Sequence, residues 1–380
     1  MAQARVVLIT SGIYPLTIGG KEKQTLFLAK ELALRGVEVT VLSAITSKKS
    51  LWQRIFGVDC YLAAKGKKGF TASLYCALKW LGFLCKNRGD FNIVIARQAY
   101  SAALVACVIK LIFRKKIIIM PTAALEFINL NRSFFGKARI AVISRCADLF
   151  ISISGDITRE MKRNNIDGAR IAEIPNGVDS EEFAPAPKEE KPRMKIQLGL
   201  REGFYFIYCG RMEEIKGVSF LLEAWRLLSK DLPDCRLLLC GSGSKEKELR
   251  NLARDLGIGS SADFLGGRQN IADYLKVSDV FVLPSLHEGS SNALLEAMSC
   301  ALPVIATAVG GTPGIISDGN NGIATPARDV VILAQKMSLL YFDEALRLRL
   351  GEAARETVLK NYTIGQSATM HAGLYKKILG

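Results

Sequence analysis

A chain of 380 residues, 49% hydrophobic and 23% charged, is long enough for two domains with separate cores, and its composition excludes disordered and collagen-like classes. The formal net charge of +15 is unevenly placed: residues 1–180 carry 27 Lys and Arg against 12 Asp and Glu, and the remainder carries 24 of each. No secretory leader and no apolar run of roughly 18–20 residues for a spanning helix is found, and nine scattered cysteines show no CxxC spacing, so a cytoplasmic protein with buried reduced thiols is expected, without zinc or a disulfide framework.

The first half alternates short apolar runs with amphipathic stretches. Residues 5–9 read as a strand, followed by a loop ending in Gly19-Gly20 and a helix over 21–35, with Leu26, Ala29, Leu32 and Ala33 at helical spacing. Gly36 closes that helix and 37–42 is the next strand. The apolar run 101–113 reads as a buried helix, and further strands are expected at 93–96, 116–120, 149–153 and 170–174. Residues 183–194 hold three prolines in a charged stretch, which marks a linker. The second half restarts with strands at 205–209, 236–240, 262–265, 280–283 and 303–306, interleaved with helices at 218–229, 245–256 and 293–299. Such alternation predicts parallel sheets covered by helices on both faces, in two units facing each other across a cleft, with ligands at the carboxyl ends of strands.

Several loops at such strand ends carry candidate chemistry. Residues 285–298 read SLHEGSSNALLEAM. Glu288 and Glu296 stand eight apart, one before and one inside a helix that opens near Ser290 or Ser291. The amides of Gly289, Ser290, Ser291, Asn292 and Ala293 then form an anion site at the helix start, and Gly289 allows close backbone approach. The alternative is Ser290 or Ser291 as an ordinary cap with a solvated Glu296. Residues 210–217 read GRMEEIKG. Arg211 and Lys216 suit a diphosphate, Arg through forked hydrogen bonds and Lys as a point charge; the alternative is pairing with Glu213 and Glu214. Gly19-Gly20, and Gly241 with Gly243 in GSG, permit a turn close to phosphate or simply precede a helix. PNGVD at 175–179 reads equally as a plain turn. Basic clusters at Lys48-Lys49, at Lys65, Lys67 and Lys68, and over 114–116 leave three readings: an anionic membrane surface, a phosphate-bearing acceptor, or a solvated face. No nucleic-acid motif accompanies them.

In this order, these segments resemble the large family 4 of retaining glycosyltransferases with the GT-B fold. The resemblance runs over nearly the whole chain, from GGKEKQTLFLAKELALRGVEVTVLS through IPNGVD, CGRMEEIKG, LLLCGSG and ADFLGG to VLPSLHEGSSNALLEAMSCALPVIATAVGGTPGIISDGNNG, whose paired glutamates match the family's E-x7-E motif. It implies two Rossmann-like, doubly wound parallel-sheet domains: residues 1–182 on the acceptor side and 195–362 binding a nucleotide sugar, with 363–380 crossing back to the first. Arg211 and Lys216 would bind the donor diphosphate and stabilise the leaving group. Glu296 would hold the ribose hydroxyls, and Glu288 would lie near the sugar ring. The amides of Ser291, Asn292, Ala293 and Leu294 would contact phosphate or sugar. Gly20 would offer its amide to the distal phosphate, and residues between Phe264 and Arg268 would border the base.

Transfer would then proceed without a metal or a cofactor, the nucleotide sugar being substrate and UDP the default base. A cationic pair with helix amides addresses developing diphosphate charge, and no Asp-x-Asp is present. The resemblance implies same-face attack, with the leaving phosphate helping to deprotonate a glycan or lipid-linked acceptor of cell-envelope polysaccharide or glycolipid synthesis. One departure stands out. His287 and His371 are the only histidines, so the strand ends where family members often carry histidines hold Arg97, Gln98 and Thr122 instead. That departure argues for one alternative to the transferase, a non-catalytic partner subunit; a second, a nucleotide-sugar epimerase of related two-domain shape, normally relies on acid/base carboxylates or histidines that find no place here. A nicotinamide dehydrogenase is disfavoured because no G-x-G-x-x-G follows the first strand.

Overall fold

Two separate sheets organise the chain in a computed structural model that describes residues 3–380 apart from 18, 48, 66–69, 124, 231 and 233. Residues 1–177 and 364–380 form one unit, and residues 178–363 the other.

The first unit contains β1 (Arg5–Ile9), α1 (Gly20–Leu34), β2 (Glu38–Thr46), β3 (Leu51–Ile55), β4 (Val58–Lys65), α2 (Phe70–Lys86) and β5 (Ile93–Ala96). It continues with α3 (Ser101–Phe113), β6 (Lys116–Ile119), α4 (Leu125–Asn131), α5 (Phe134–Cys146), β7 (Leu149–Ser152), α6 (Gly155–Arg163) and β8 (Ile171–Glu173). The sheet order is β3-β4-β2-β1-β5-β6-β7-β8. β5 is a short continuous apolar run with every residue buried, and β1 is one after Arg5, as a strand covered on both faces requires. On α1 the buried positions include Leu26, Ala29 and Leu32, one stripe turned to the sheet.

The sheet is parallel except at its edge, where β3 pairs antiparallel with β4. Residues 51–65 therefore correct the expectation of a wholly parallel sheet. Phe56 (φ 47°) and Gly57 (φ 82°) form the two-residue connection. Both have positive φ, the geometry that matches strand twist in a hairpin, but a phenylalanine in the first place gives no turn signal.

The second unit contains α7 (Lys191–Gln197), β9 (Phe204–Cys209), α8 (Val218–Leu228), β10 (Cys235–Cys240), α9 (Glu246–Asp255), β11 (Ala262–Gly266) and α10 (Ile271–Val277). After these come β12 (Val280–Leu283), α11 (Asn292–Ser299), β13 (Val304–Thr307), β14 (Ile323–Thr325), α12 (Val330–Phe342) and α13 (Glu344–Asn361). Its parallel sheet runs β11-β10-β9-β12-β13-β14. The last helix, α14 (Ile364–Leu379), lies in the first unit beside α1, where Ala368 and Tyr375 are fully buried.

The stretch 183–194, expected as a linker, lies within the second unit. Phe183 is buried in that unit's core, and Pro192 sits in the first turn of α7, where a missing N–H removes no helix bond. The changes of unit fall instead at 177/178 and 363/364.

Each sheet has one place where strand order reverses: between β1 and β5 in the first, and between β9 and β12 in the second. Ligands of open parallel sheets bind outside the carboxyl ends of strands at such points.

Candidate active site

In the second unit, the reversal point gathers residues far apart in sequence. After β9 the chain runs through Gly210 and Arg211 to a single 3-10 turn, Glu214–Lys216. Gly217 follows with φ 63° and caps α8. A Cβ at Gly217 would lie 2.1 Å from the Pro284 carbonyl oxygen, so only glycine lets this turn reach the loop after β12. That loop is pinned to it, the Leu286 amide donating to the Ile215 carbonyl at 2.8 Å.

The close approach brings Lys216 to Glu288. The ammonium donates to Oε1 at 2.7 Å, and the Ser285 hydroxyl donates to the same oxygen at 2.6 Å. Glu288 is 4% exposed. Ser285 is fully buried, and its carbonyl accepts from the Thr307 hydroxyl at the end of β13. The Glu288 carbonyl accepts from the Gly311 amide at 3.1 Å. Gly310, at φ 56°, leaves its space to that carbonyl, since a Cβ there would come within 1.8 Å of the oxygen.

The pairing alternatives at GRMEEIKG thus separate. Glu213 accepts from the hydroxyl and amide of Ser244 at 2.7 and 3.1 Å, which holds its carboxyl below the ordinary range. Arg211 is exposed, and its guanidinium makes no ion pair or hydrogen bond among the described residues. Its carbonyl accepts from the Tyr208 hydroxyl at 2.9 Å. Burial pushes that hydroxyl well above its usual pKa, with Glu288 adding to the effect.

The helix after β12 starts at Asn292, with Ser291 as its N-cap. The Ser291 hydroxyl accepts from the Leu294 amide at 3.3 Å. In this structure that amide is thus bonded to the cap. The amides of Gly289, Ser290 and Ser291 precede the helix, while those of Asn292 and Ala293 belong to its first turn. Glu296 lies in the second turn, half-buried. His287 is half-buried, with Nε2 lacking a partner among the described residues.

Gly241 and Gly243 have a packing cause. A Cβ on Gly241 would meet the Gly210 carbonyl oxygen at 1.8 Å, and one on Gly243 would meet that of Met212 at 2.3 Å. Backbone bonds between Gly210 and Cys240 and between Met212 and Ser242, both 2.9 Å, hold the two strand ends together. Phe264, on β11, lies under the Arg250 guanidinium at 4.7 Å from the ring centre. Arg268 is exposed and lies over the Tyr274 ring at 5.8 Å. Gly20 belongs to the first unit, where it opens α1. Among the described residues no three His, Cys, Asp or Glu side chains cluster as metal ligands.

Ser285, Thr307 and Gly310 escaped the sequence reading. Ser285 stands three residues before Glu288 in SLHE, a spacing that fits a local side-chain bond. Nothing near Thr307 or Gly310 in sequence announces a role, because both act on a loop contributed by another strand.

Two family models match the chain: "Glycosyltransferase Family 4" over residues 18–182 and "Glycosyl transferases group 1" over residues 190–357. The chain belongs to the family 4, group 1 glycosyltransferases. Among curated relatives, the UDP-Gal:alpha-D-GlcNAc-diphosphoundecaprenol alpha-1,3-galactosyltransferase of Escherichia coli is 31% identical over 57% of this chain and 56% of its own. The N-acetyl-alpha-D-glucosaminyl L-malate synthase of Bacillus anthracis is 29% identical over 58% and 57%. The chain thus spans somewhat over half the length of these relatives. The crystal structure of Anabaena HepE in complex with UDP and glucose superimposes with a TM-score of 0.82 at 19% identity, covering 98% of this chain and 100% of that one. That likeness shows the GT-B fold, two α/β units built on largely parallel sheets.

Proposed function

We propose that this protein is a retaining glycosyltransferase that moves a sugar from a nucleotide-sugar donor, UDP-linked by default, to a glycan or lipid-linked acceptor in cell-envelope polysaccharide or glycolipid synthesis. The observation that carries the reading is the meeting of Lys216 and Glu288 at 2.7 Å at the reversal point of the second sheet, beside the unpaired guanidinium of Arg211. Family membership and the transfer activities named for the relatives support it.

In this reading Arg211 and Lys216 hold the donor diphosphate. As the bond from the sugar's anomeric carbon to phosphate breaks, negative charge grows on the leaving oxygen, and fixed cations in a partly buried site stabilise it without reorganising. Glu288 keeps the ammonium aimed before the donor arrives and lies beside the sugar ring. Glu296 holds the ribose hydroxyls, and the amides of Gly289, Ser290, Ser291, Asn292 and Ala293 complete the phosphate cradle. Phe264 and Arg268 border the base. No cofactor or metal enters. The acceptor proton passes to the leaving phosphate oxygen on the same face, which retains the anomeric configuration.

The protein works in the cytoplasm at an anionic membrane face. Lys67 and Lys68 lie outside the described residues, as does the side chain of Lys65. Lys115 is engaged, donating to the Phe91 carbonyl at 2.7 Å. Support for membrane contact comes instead from α2, α3 and α5. None of the three holds an acidic residue, α3 packs on both others, and Leu78, Leu111, Phe134 and Phe135 stand exposed on them. Apolar side chains among cations are what an anionic bilayer interface takes up.

The test is a thermal-shift panel of UDP-, GDP- and ADP-sugars, followed by product analysis with the stabilising donor and EDTA present. One donor class stabilises by mass action, and transfer survives chelation. Absence of any shift with all three classes would overturn the donor reading.

A further inference from the structure

The first sheet has its own reversal point, and the side chains there are not accounted for by the donor site. Thr10 follows β1 and Arg97 follows β5. The register pairs Ile9 with Ala96 and continues as the Arg97 amide donates to the Ile9 carbonyl at 3.0 Å. Thr10 and Arg97 therefore stand side by side and project to the same face.

α1 and α14, which pack on each other, bring Glu22 and Tyr375 within the field of Arg97. Arg97 is 1% exposed, yet its Nε and NH1 have no hydrogen-bond partner among the described residues. Thr10 is fully buried, and its hydroxyl has none either. From α14, His371 arrives 1% exposed, its Nδ1 3.0 Å from the Tyr375 hydroxyl and its Nε2 unpartnered. The tautomer in which Nδ1 accepts from that hydroxyl puts the proton on Nε2 and makes it a donor. Three side chains more than nine-tenths buried, two after adjacent strand ends and one on α14, thus each keep at least one polar atom without a partner among the described residues.

The charge balance sharpens this. Burial lowers the Arg97 guanidinium to about 10, so it is cationic at neutral pH. The carboxylates whose fields reach it are Glu22 and Glu126. Glu126 is committed to the Ala99 amide and to the amide and hydroxyl of Thr122, all within 2.8 Å. Glu22 pairs with Lys21 at 3.4 Å. His371 is neutral, pushed down to about 3 by burial and by Arg97. A buried cation with unpartnered N–H groups is costly, and among the described residues neither Nε nor NH1 has a hydrogen-bond partner.

We propose that Arg97, with Thr10 and His371 beside it, receives an anionic oxygen group, a carboxylate or a phosphoryl, carried by the sugar substrate. The guanidinium offers a planar fork of N–H donors that matches two oxygens of either group, and the hydroxyl and imidazole add neutral donors. The substrate class is therefore an acidic sugar: a uronic acid or a sugar phosphate. The assignment to a sugar rests on the transfer reading, whereas anion binding in this unit does not.

The experiment uses the full chain carrying Arg211→Ala, so that the second unit's cations contribute less. Thermal shifts are titrated with glucuronate, inorganic phosphate and, as control, glucose. Glucuronate alone raising the melting temperature identifies a carboxylate, phosphate alone a phosphoryl, and both the shared chemistry. Adding Arg97→Met weakens the anion response at least tenfold, while the melting temperature without ligand stays level or rises, because an unpaired buried charge is gone. Arg97→Lys, which keeps charge without the fork, gives the same comparison should the methionine variant not fold. No response to either anion, or equal responses with and without Arg97, would overturn the proposal. The UDP-sugar shift of the unmodified chain is read separately, so a failed donor reading and a failed anion site give different results.

Discussion

Removing the Lys216 ammonium tests stability and catalysis together. Glu288 is 4% exposed, and its Oε1 receives only Lys216 and Ser285 among the bonds seen. Lys216→Ala leaves a buried carboxylate facing one hydroxyl. Breaking a buried pair from one side costs roughly 3–5 kcal/mol. The lysine side chain is 16% exposed, so water partly replaces it and the low end, about 3 kcal/mol, applies. In a unit of this size each kcal/mol moves the midpoint by about 2–4 °C, so calorimetry should show a drop of about 6–12 °C. Glu288→Gln in the Lys216→Ala background removes the stranded charge and recovers most of that loss, yet the double variant stays inactive because the diphosphate cation is absent. A single variant that melts within about 1 °C of the parent, or a double variant no more stable than Lys216→Ala, would refute the reasoning.

Arg211→Ala should leave stability almost unchanged, since its guanidinium is exposed and forms no ion pair, and should lower kcat about 10²–10³-fold, the loss of one charge-stabilising donor, read by steady-state kinetics with the stabilising donor. Gly310→Ala places a Cβ 1.8 Å from the Glu288 carbonyl oxygen at φ 56°, and should destabilise by more than about 1 kcal/mol and weaken donor-induced thermal shifts. His371, held down to about 3 in the folded chain against about 6.5 unfolded, binds its proton only on unfolding between those values. Stability contributed by the neutral imidazole is thus complete above about pH 6.5 and falls by about 1.4 kcal/mol per unit as pH drops toward 3. Urea denaturation of His371→Gln should show a shallower acid slope in that window, and an unchanged slope would count against a buried neutral histidine.

Local features made the two α/β units readable. Strands 93–96 and 280–283 appear in the structure with those bounds because fully buried parallel strands are continuous apolar runs. The β3–β4 hairpin escaped because its turn is Phe-Gly, and 183–194 misled because prolines that start a helix resemble prolines that break one. At the site, Glu288 and Glu296 were visible as a pair because a step of eight residues along one chain is a local spacing, as is the step of five from Arg211 to Lys216. The open question at GRMEEIKG, whether Lys216 pairs within its own loop, had no local answer.

The sequence by itself thus determined the two alternating α/β patterns and the two short motifs that carry charge to strand ends, since periodicity and spacing act within a few turns of chain. Only the tertiary structure decided which charges meet. Lys216 and Glu288 are 72 residues apart and touch because β9 and β12 are sheet neighbours although two strands separate them in sequence. Arg97 reads as a strand-end residue standing where family members often carry a histidine, and only the structure shows it buried with Nε and NH1 unpartnered among the described residues. Whether a charge is solvated, paired or left waiting depends on what packs over it, and that is fixed by contacts from distant parts of the chain.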